Sequence, residues 1–228
     1  MKKDSGVKRT YRSSVRQAQV ARTRASLVAA ASELFVEHGY VATTVDDIAT
    51  RAGVSRATVF NAVGGKPELL IRAYQFAVRG DQPDTPLGAQ ARSRRILAET
   101  DPRHLLAGYA EVVVEAGPRI AALYEAVRAA AHADDEAAEL WRRLTGERRY
   151  GAGRVVRALK KLGPLRAGLT VATATDLLWL LNDPANYHLL VVERRWPVRR
   201  YRIWLTEIMQ TQLLPPTADH PTVASATP

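Results

Sequence analysis

Cysteine is absent from the 228 residues. Its absence excludes disulfides and thiolate metal sites, and fits a reducing compartment. Long apolar runs are missing too. A run such as Leu177-Leu178-Trp179-Leu180-Leu181 falls far short of the ~20 residues that cross a bilayer. No apolar segment of signal-peptide length follows the basic N-terminus, so the expectation is a soluble cytoplasmic protein with no membrane partner. Histidines are few, at 38, 104, 132, 188 and 220, with no pair at metal-ligand spacing. There is no Gly-x-Ser-x-Gly elbow. Gly64-Gly65-Lys66 has the look of a phosphate loop, but Phe60 stands where its first Gly belongs and Pro67 where Ser or Thr belongs. Gly151-Ala152-Gly153 lies in a helical pattern with no strand before it, which argues against a dinucleotide site. Neither an enzyme nor a metal or cofactor is expected.

What is present is apolar content and positive charge. Hydrophobic residues make up 46% of the chain, enough for a packed core. Lys and Arg total 33 against 23 Asp and Glu, a net charge of +10. Most of that excess sits in residues 1–24, where eight Lys and Arg face only Asp4. Such a cluster attracts a polyanion and releases its counterions. It is equally what a solvated, disordered tail looks like. Residues 1–13 read as a disordered basic arm.

Helical periodicity follows. Leu27, Val28, Ala31, Leu34 and Phe35 recur at helical spacing, and Gly39 suits a helix stop. Thr44-Val45-Asp46-Asp47 is a capping-box pattern, a hydroxyl with an acid three residues on. Val45, Ile48, Ala49 and Ala52 line one face of the short helix it opens, and Gly53 ends that helix. Ser55 is a natural N-cap for another short helix, roughly Arg56 to Val63. Gly64-Gly65 breaks the chain before a helix over 66–79, with Pro67 tolerated in its first turn. Gly80, Pro83, Pro86 and Gly88 mark a domain boundary. Helices are then expected near 89–99, 102–116, 118–132, 134–162, 169–182, 184–194 and 198–214. The prolines after residue 214 predict a disordered tail over 215–228. The fold class is all-α, with a first domain over 14–80 and a helical bundle over 81–214.

A short capped helix, a Gly turn and a second short helix form a helix-turn-helix pattern. Its second helix enters the major groove with its first residues at base edges. That assigns the exposed residues between Ser55 and Asn61 a role. Arg56 can donate two hydrogen bonds to guanine, Thr58 can bond or pack on a thymine methyl, and Asn61 can read adenine. Ala57 keeps the helix slim, while Val54, Val59 and Val63 pack inward. Thr44 and Lys66 stand at helix starts, where phosphates are commonly held. Two short helices joined by Gly also occur in helical proteins that never touch DNA.

Residues 25–71 resemble the N-terminal domain of the tetracycline-repressor (TetR) family. The resemblance runs from Leu27 through Phe35 to Gly39-Tyr40. It continues over Ala42-Thr43-Thr44-Val45-Asp46-Asp47-Ile48-Ala49, Ala52-Gly53-Val54-Ser55, Thr58-Val59-Phe60 and Gly65-Lys66, about one fifth of the chain. It implies a homodimeric, ligand-responsive repressor on a near-palindromic DNA operator. Thr44, Arg56, Thr58, Phe60, Asn61 and Lys66 fall where the family contacts DNA. Two departures stand out. Phe60 replaces the family's usual Tyr, whose hydroxyl often bonds phosphate, and Ala62-Val63 replaces a His-Phe pair. By analogy, Arg9 and Arg12 are candidates for the minor groove.

The resemblance is weaker beyond residue 80, where it implies ligand binding and dimerisation. The segment from Asp176 to Leu205 looks like a subgroup common among actinobacterial regulators. The last long helices, carrying Tyr201, Trp204, Leu205, Ile208 and Met209, would pair across a two-fold axis. A small-molecule effector pocket is expected between helices. Tyr109, Tyr124, Trp141, Trp179 and Tyr187 are candidate walls, and Asp176, Asn182 and His188 candidate polar anchors. A nonspecific nucleic-acid binder would explain the charge but not the aromatic-rich second half. A membrane-surface protein would need bulky apolar residues that the basic arm lacks.

Overall fold

The computed structural model describes residues 5–80, 85, 89–132 and 134–216, with side chains from Gln17 onward. It is all-α: among the described residues there is no strand. The helices are α1 (Ser5–Ala42), α2 (Val45–Ala52), α3 (Arg56–Ala62), α4 (Lys66–Arg79), α5 (Ala91–Leu97), α6 (Pro102–Ala130), α7 (Asp135–Leu162), α8 (Val171–Leu181), α9 (Pro184–Tyr187) and α10 (Val198–Leu213). The residues group into two units, 1–83 with 122–142, and 84–121 with 143–228. Residues 122–142 thus join the N-terminal unit, although they lie well past the boundary marked by Gly80–Gly88.

In the first unit, α1 buries Leu27, Ala31, Leu34 and Phe35, the helical stripe expected from sequence. Gly39 interrupts α1 with φ 78° and ψ 166°, a conformation that costs a side chain too much. The buried Thr43 hydroxyl closes this corner by donating to the carbonyls of Leu34 and Gly39. Ile48, Val59, Leu69, Leu70, Ala73 and Tyr74 complete the core under α1. A second cluster packs Tyr124 against Trp141, ring centres 4.7 Å apart and planes tilted by 50°, with Tyr74 6.3 Å from Tyr124.

The second unit has a core built from Leu105, Leu106 and Ala110 of α6, Val156 and Leu159 of α7, Leu178 of α8, and Tyr201, Leu205 and Met209 of α10. Tyr187 meets Tyr201 edge-to-face at 5.5 Å. Trp204 and Ile208 are only partly buried.

Three expectations about elements change. The chain is helical from Ser5, where an unstructured arm was expected over 1–13. No proline interrupts residues 5–42, and Arg, Ala and Gln favour a helix once one is nucleated. Residues 1–4 and most of the expected tail, 217–228, lie outside the described residues. The break expected at Gly117-Pro118 does not occur, because α6 runs through Pro118. Proline removes one hydrogen bond, but Ile120, Ala121 and Leu123 beyond it are buried, and their packing outweighs that loss. The helix expected over 184–194 is one short turn, α9, followed by a π-helical stretch at His188–Glu193. Two residues beyond that stretch, Arg195 takes φ 57°.

Candidate nucleic-acid interface

Two caps and one left-handed glycine set the geometry of α2 and α3. The Thr44 hydroxyl accepts from the Asp47 amide at 3.1 Å, and the Asp47 carboxylate accepts from the Thr44 amide at 2.9 Å. This is the reciprocal capping box read from the sequence. The bonds from Thr44 hold the Asp47 carboxyl below the usual carboxylate range. Gly53 takes φ 68° and ψ 34° and ends α2, with its amide on the carbonyls of Ala49 and Thr50. Ser55 then caps α3, accepting from the Thr58 amide.

This turn anchors α3 by one face only. Val59 and Val63 are buried, while Ser55, Arg56, Ala57, Phe60 and Asn61 are exposed and Thr58 is half-buried. Exposure of Phe60, at 47%, is high for so large an apolar side chain. Below α3, Arg51 of α2 bonds Glu33 and Glu37 of α1 at 3.1 Å each. The Arg51 guanidinium holds the Glu37 carboxyl below its usual range. At the far end, the Arg24 side chain donates to the Ala62 carbonyl at 2.8 Å, satisfying an orphan acceptor at the end of α3.

The expected DNA-facing residues divide in two. Ser55, Arg56, Ala57, Thr58, Phe60 and Asn61 come together on α3. Thr44 is exposed at the start of α2, though its hydroxyl also lies 2.6 Å from the Asp47 carboxylate. Lys66 is half-buried, donating to the Tyr40 carbonyl at 3.0 Å, with its ammonium 4.2 Å from the Tyr40 ring centre. Arg9 and Arg12 lie outside the residues whose side chains are described. Sequence reasoning missed Asp46, whose carboxylate lies 2.5 Å from the Arg56 guanidinium. It also missed Arg24 as the partner of α3. Both depend on where one helix crosses another, which no local pattern encodes.

The expected effector-pocket residues are divided between the two units. Tyr124 and Trp141 pack against each other in the first unit. Tyr109, Asp176, Trp179, Asn182 and Tyr187 belong to the second. There, Asn182 donates to the Tyr109 hydroxyl at 2.6 Å and accepts from Arg148 at 3.2 Å. Arg148 also donates to the Trp179 carbonyl at 2.8 Å and pairs with Asp183 at 2.9 Å. Asp176 instead faces solvent and pairs with Arg149. His188 is 3.3 Å from Glu193. An open groove of about 480 Å³ on this unit is lined by Trp196, Pro197, Arg199, Arg200, Ile203, Trp204 and Glu207, none of them a candidate wall.

Among the described residues no group of His, Asp and Glu could hold a metal ion, and no helix is long and apolar enough to cross a membrane.

Residues 27–73 match the family model for bacterial regulatory proteins of the tetR family. The uncharacterized HTH-type transcriptional regulator YdeS of Bacillus subtilis (strain 168) is 28% identical over 171 residues, covering 74% of this chain and 79% of that protein. Among solved structures, the TetR family transcriptional regulator PfmR from Thermus thermophilus superposes with a TM-score of 0.58 at 20% identity, covering 82% of this chain and 93% of that one. SmeT, the repressor of the Stenotrophomonas maltophilia multidrug efflux pump SmeDEF, is similar in its triclosan complex. That match has a TM-score of 0.61 at 20% identity and covers 91% of this chain and 99% of that one. At these identities the two structures speak to the fold alone.

Proposed function

We propose that this chain, whose residues 27–73 match the tetR-family model, is a DNA-binding transcription regulator of that family and works as a cytoplasmic homodimeric repressor, released from a near-palindromic operator by a small organic effector. The observation that carries this reading is the single-sided burial of α3. One face is locked by Val59 and Val63, and the other offers Arg56, Ala57, Phe60 and Asn61 to a groove. Arg56 would address guanine, Asn61 adenine and Thr58 a thymine methyl, with Ser55 and Ala57 allowing close approach. Phe60 would add apolar contact where a tyrosine would bond phosphate. Thr44 would meet the backbone, as would the N–H bonds that Lys66 does not spend on Tyr40.

Dimerisation would place two α3 helices about 34–36 Å apart, one turn of DNA. Exposed apolar side chains on the last helices support it: Leu180 of α8, and Val198 and Ile203 of α10. In this reading residues 14–80 bind DNA and residues 81–214 bind effector and partner. Tyr109, Trp179, Asn182 and Tyr187 remain the polar and aromatic set best suited to an effector. The effector must prefer a conformation whose half-site spacing does not match the operator. SmeT, a repressor solved with triclosan, supports an organic effector by likeness of fold.

Selection of genomic DNA by the purified protein at near-physiological salt tests this, with Arg56→Ala and Thr58→Ala as controls. A near-palindromic site that the variants lose is the expected result. Salt-sensitive binding with no preferred sequence, unchanged in the variants, would replace this reading with nonspecific attraction by the basic N-terminal region.

A further inference from the structure

We infer that Asp46 is the positioning residue for Arg56, and that it sets how sharply this protein discriminates its operator from other DNA. The inference rests on the DNA-binding reading above. An acid beside the residue expected to meet bases is at first sight misplaced, because it repels phosphate. Its geometry gives it a purpose. Asp46 is the second residue of α2 and Arg56 the first of α3, and Asp46 Oδ2 lies 2.5 Å from Arg56 Nη1. On its other side the Arg56 guanidinium carbon lies 5.5 Å from the centre of the exposed Phe60 ring. A long, rotamer-rich side chain is thereby held at two points, above a helix face that is otherwise short side chains and one amide.

The pair is solvent-exposed, with 58% of the Arg56 side chain and 64% of the Asp46 side chain accessible. Exposed ion pairs are worth little in water, so this one contributes orientation more than stability. Guanidinium has five N–H bonds in a rigid fork, and Asp46 engages only the Nη1 corner. The Nη2 and Nε edge stays available for the paired acceptors on a guanine. Without Asp46, Arg56 sweeps freely and bonds any phosphate it meets. Asp46 therefore acts twice, aiming Arg56 at a base and withholding part of its charge from the backbone.

The test is Asp46→Asn, which keeps shape and removes charge, with Asp46→Glu and Arg56→Ala beside it. Each full-length protein is titrated against the duplex recovered by selection and against a scrambled duplex of the same composition, over a salt series. Thermal melting confirms that the variants fold. For Asp46→Asn, binding to scrambled DNA should tighten, its log–log salt slope should steepen by about 1, and discrimination should fall about tenfold. Asp46→Glu should restore part of the discrimination. In the Arg56→Ala background, Asp46→Asn should no longer change it. Discrimination that survives Asp46→Asn to within about twofold, or falls equally in the Arg56→Ala background, would overturn the inference. A wild-type protein without any preference would sink it together with the operator reading, and only that result touches both.

Discussion

Lys66 and Tyr40, twenty-six residues apart, meet at the start of α4. The ammonium sits 4.2 Å from the ring centre and donates to the carbonyl of the same tyrosine at 3.0 Å. The Tyr40 ring is 3% exposed and lies 5.6 Å from Phe35, so this contact pins the first turn of α4 onto the core of α1. Burial pushes the Tyr40 phenol well above its usual value, with the charges of Asp134 and Glu136 adding to the effect, so it stays neutral at working pH. Lys66→Ala should lower stability by about 1–2 kcal/mol, a cation–π contact and a charge-assisted hydrogen bond combined. Lys66→Arg should retain most of it. Urea unfolding of the full chain reads this as a shifted midpoint with an unchanged slope. An unshifted midpoint in Lys66→Ala would return Lys66 to a purely DNA-facing role.

Gly117 touches Tyr187 so closely that a Cβ there would overlap the ring. The ring cannot easily retreat, because its other side meets Tyr201. Gly117→Ala should therefore destabilise the protein by about 1–3 kcal/mol, despite alanine's better helix propensity. Gly117→Ala combined with Tyr187→Ala should cost less than the two single changes added, because the clash is then gone. Additive unfolding energies would show that the helix tolerates the methyl by shifting elsewhere.

The capping box at Thr44 and Asp47 gives a pH dependence with a definite sign. Asp47's carboxyl is lowered in the folded protein, mainly by the Thr44 hydroxyl bond, so the unfolded state binds its proton more readily. Its contribution is fully present above the ordinary carboxylate value and is lost as pH falls through the lower, folded one. Glu37, lowered by Arg51, acts in the same direction. Asp47→Asn should flatten the acid limb of stability against pH while changing little near neutrality beyond the lost cap. Thr44→Ala should cost about 1 kcal/mol at neutral pH. Urea midpoints measured from neutrality down to strongly acid pH check both, and an acid limb unchanged in Asp47→Asn would assign it to other carboxylates.

Which features were legible in the sequence follows from the range of the forces involved. Thr44 with Asp47, Gly53 and Ser55 act within four residues, so the helix-turn-helix could be read with its caps in place. The α1 stripe from Leu27 to Phe35 was equally legible, since helical period alone sorts inside from outside. Pro118 misled because its local cost is plain while the burial of Ile120 and Leu123 that outweighs it is not. Composition cannot say which aromatics share a unit, so the division of Tyr124 and Trp141 from Tyr109 and Tyr187 is not legible in the sequence. In the sequence Asp46 reads only as part of a cap motif, although its partner Arg56 lies just beyond the turn.

Asn182 joins a polar cluster in the second unit with Tyr109, Arg148 and Asp183. It is 8% exposed, donates to Tyr109 and accepts from Arg148. Burial pushes the Tyr109 phenol up, and the bond from Asn182 offsets part of that. Asn182→Leu removes the donor from Tyr109 and should cost about 2 kcal/mol, since a buried polar group without its partner bears its full desolvation penalty. Tyr109→Phe leaves the Asn182 amide short of an acceptor and should cost a similar amount. The double variant should cost clearly less than the two added, because removing both partners leaves neither stranded. Equilibrium unfolding of the four proteins reads that coupling. If the energies simply add, Asn182 and Tyr109 act separately, and the cluster's cohesion rests on Arg148 with Asp183.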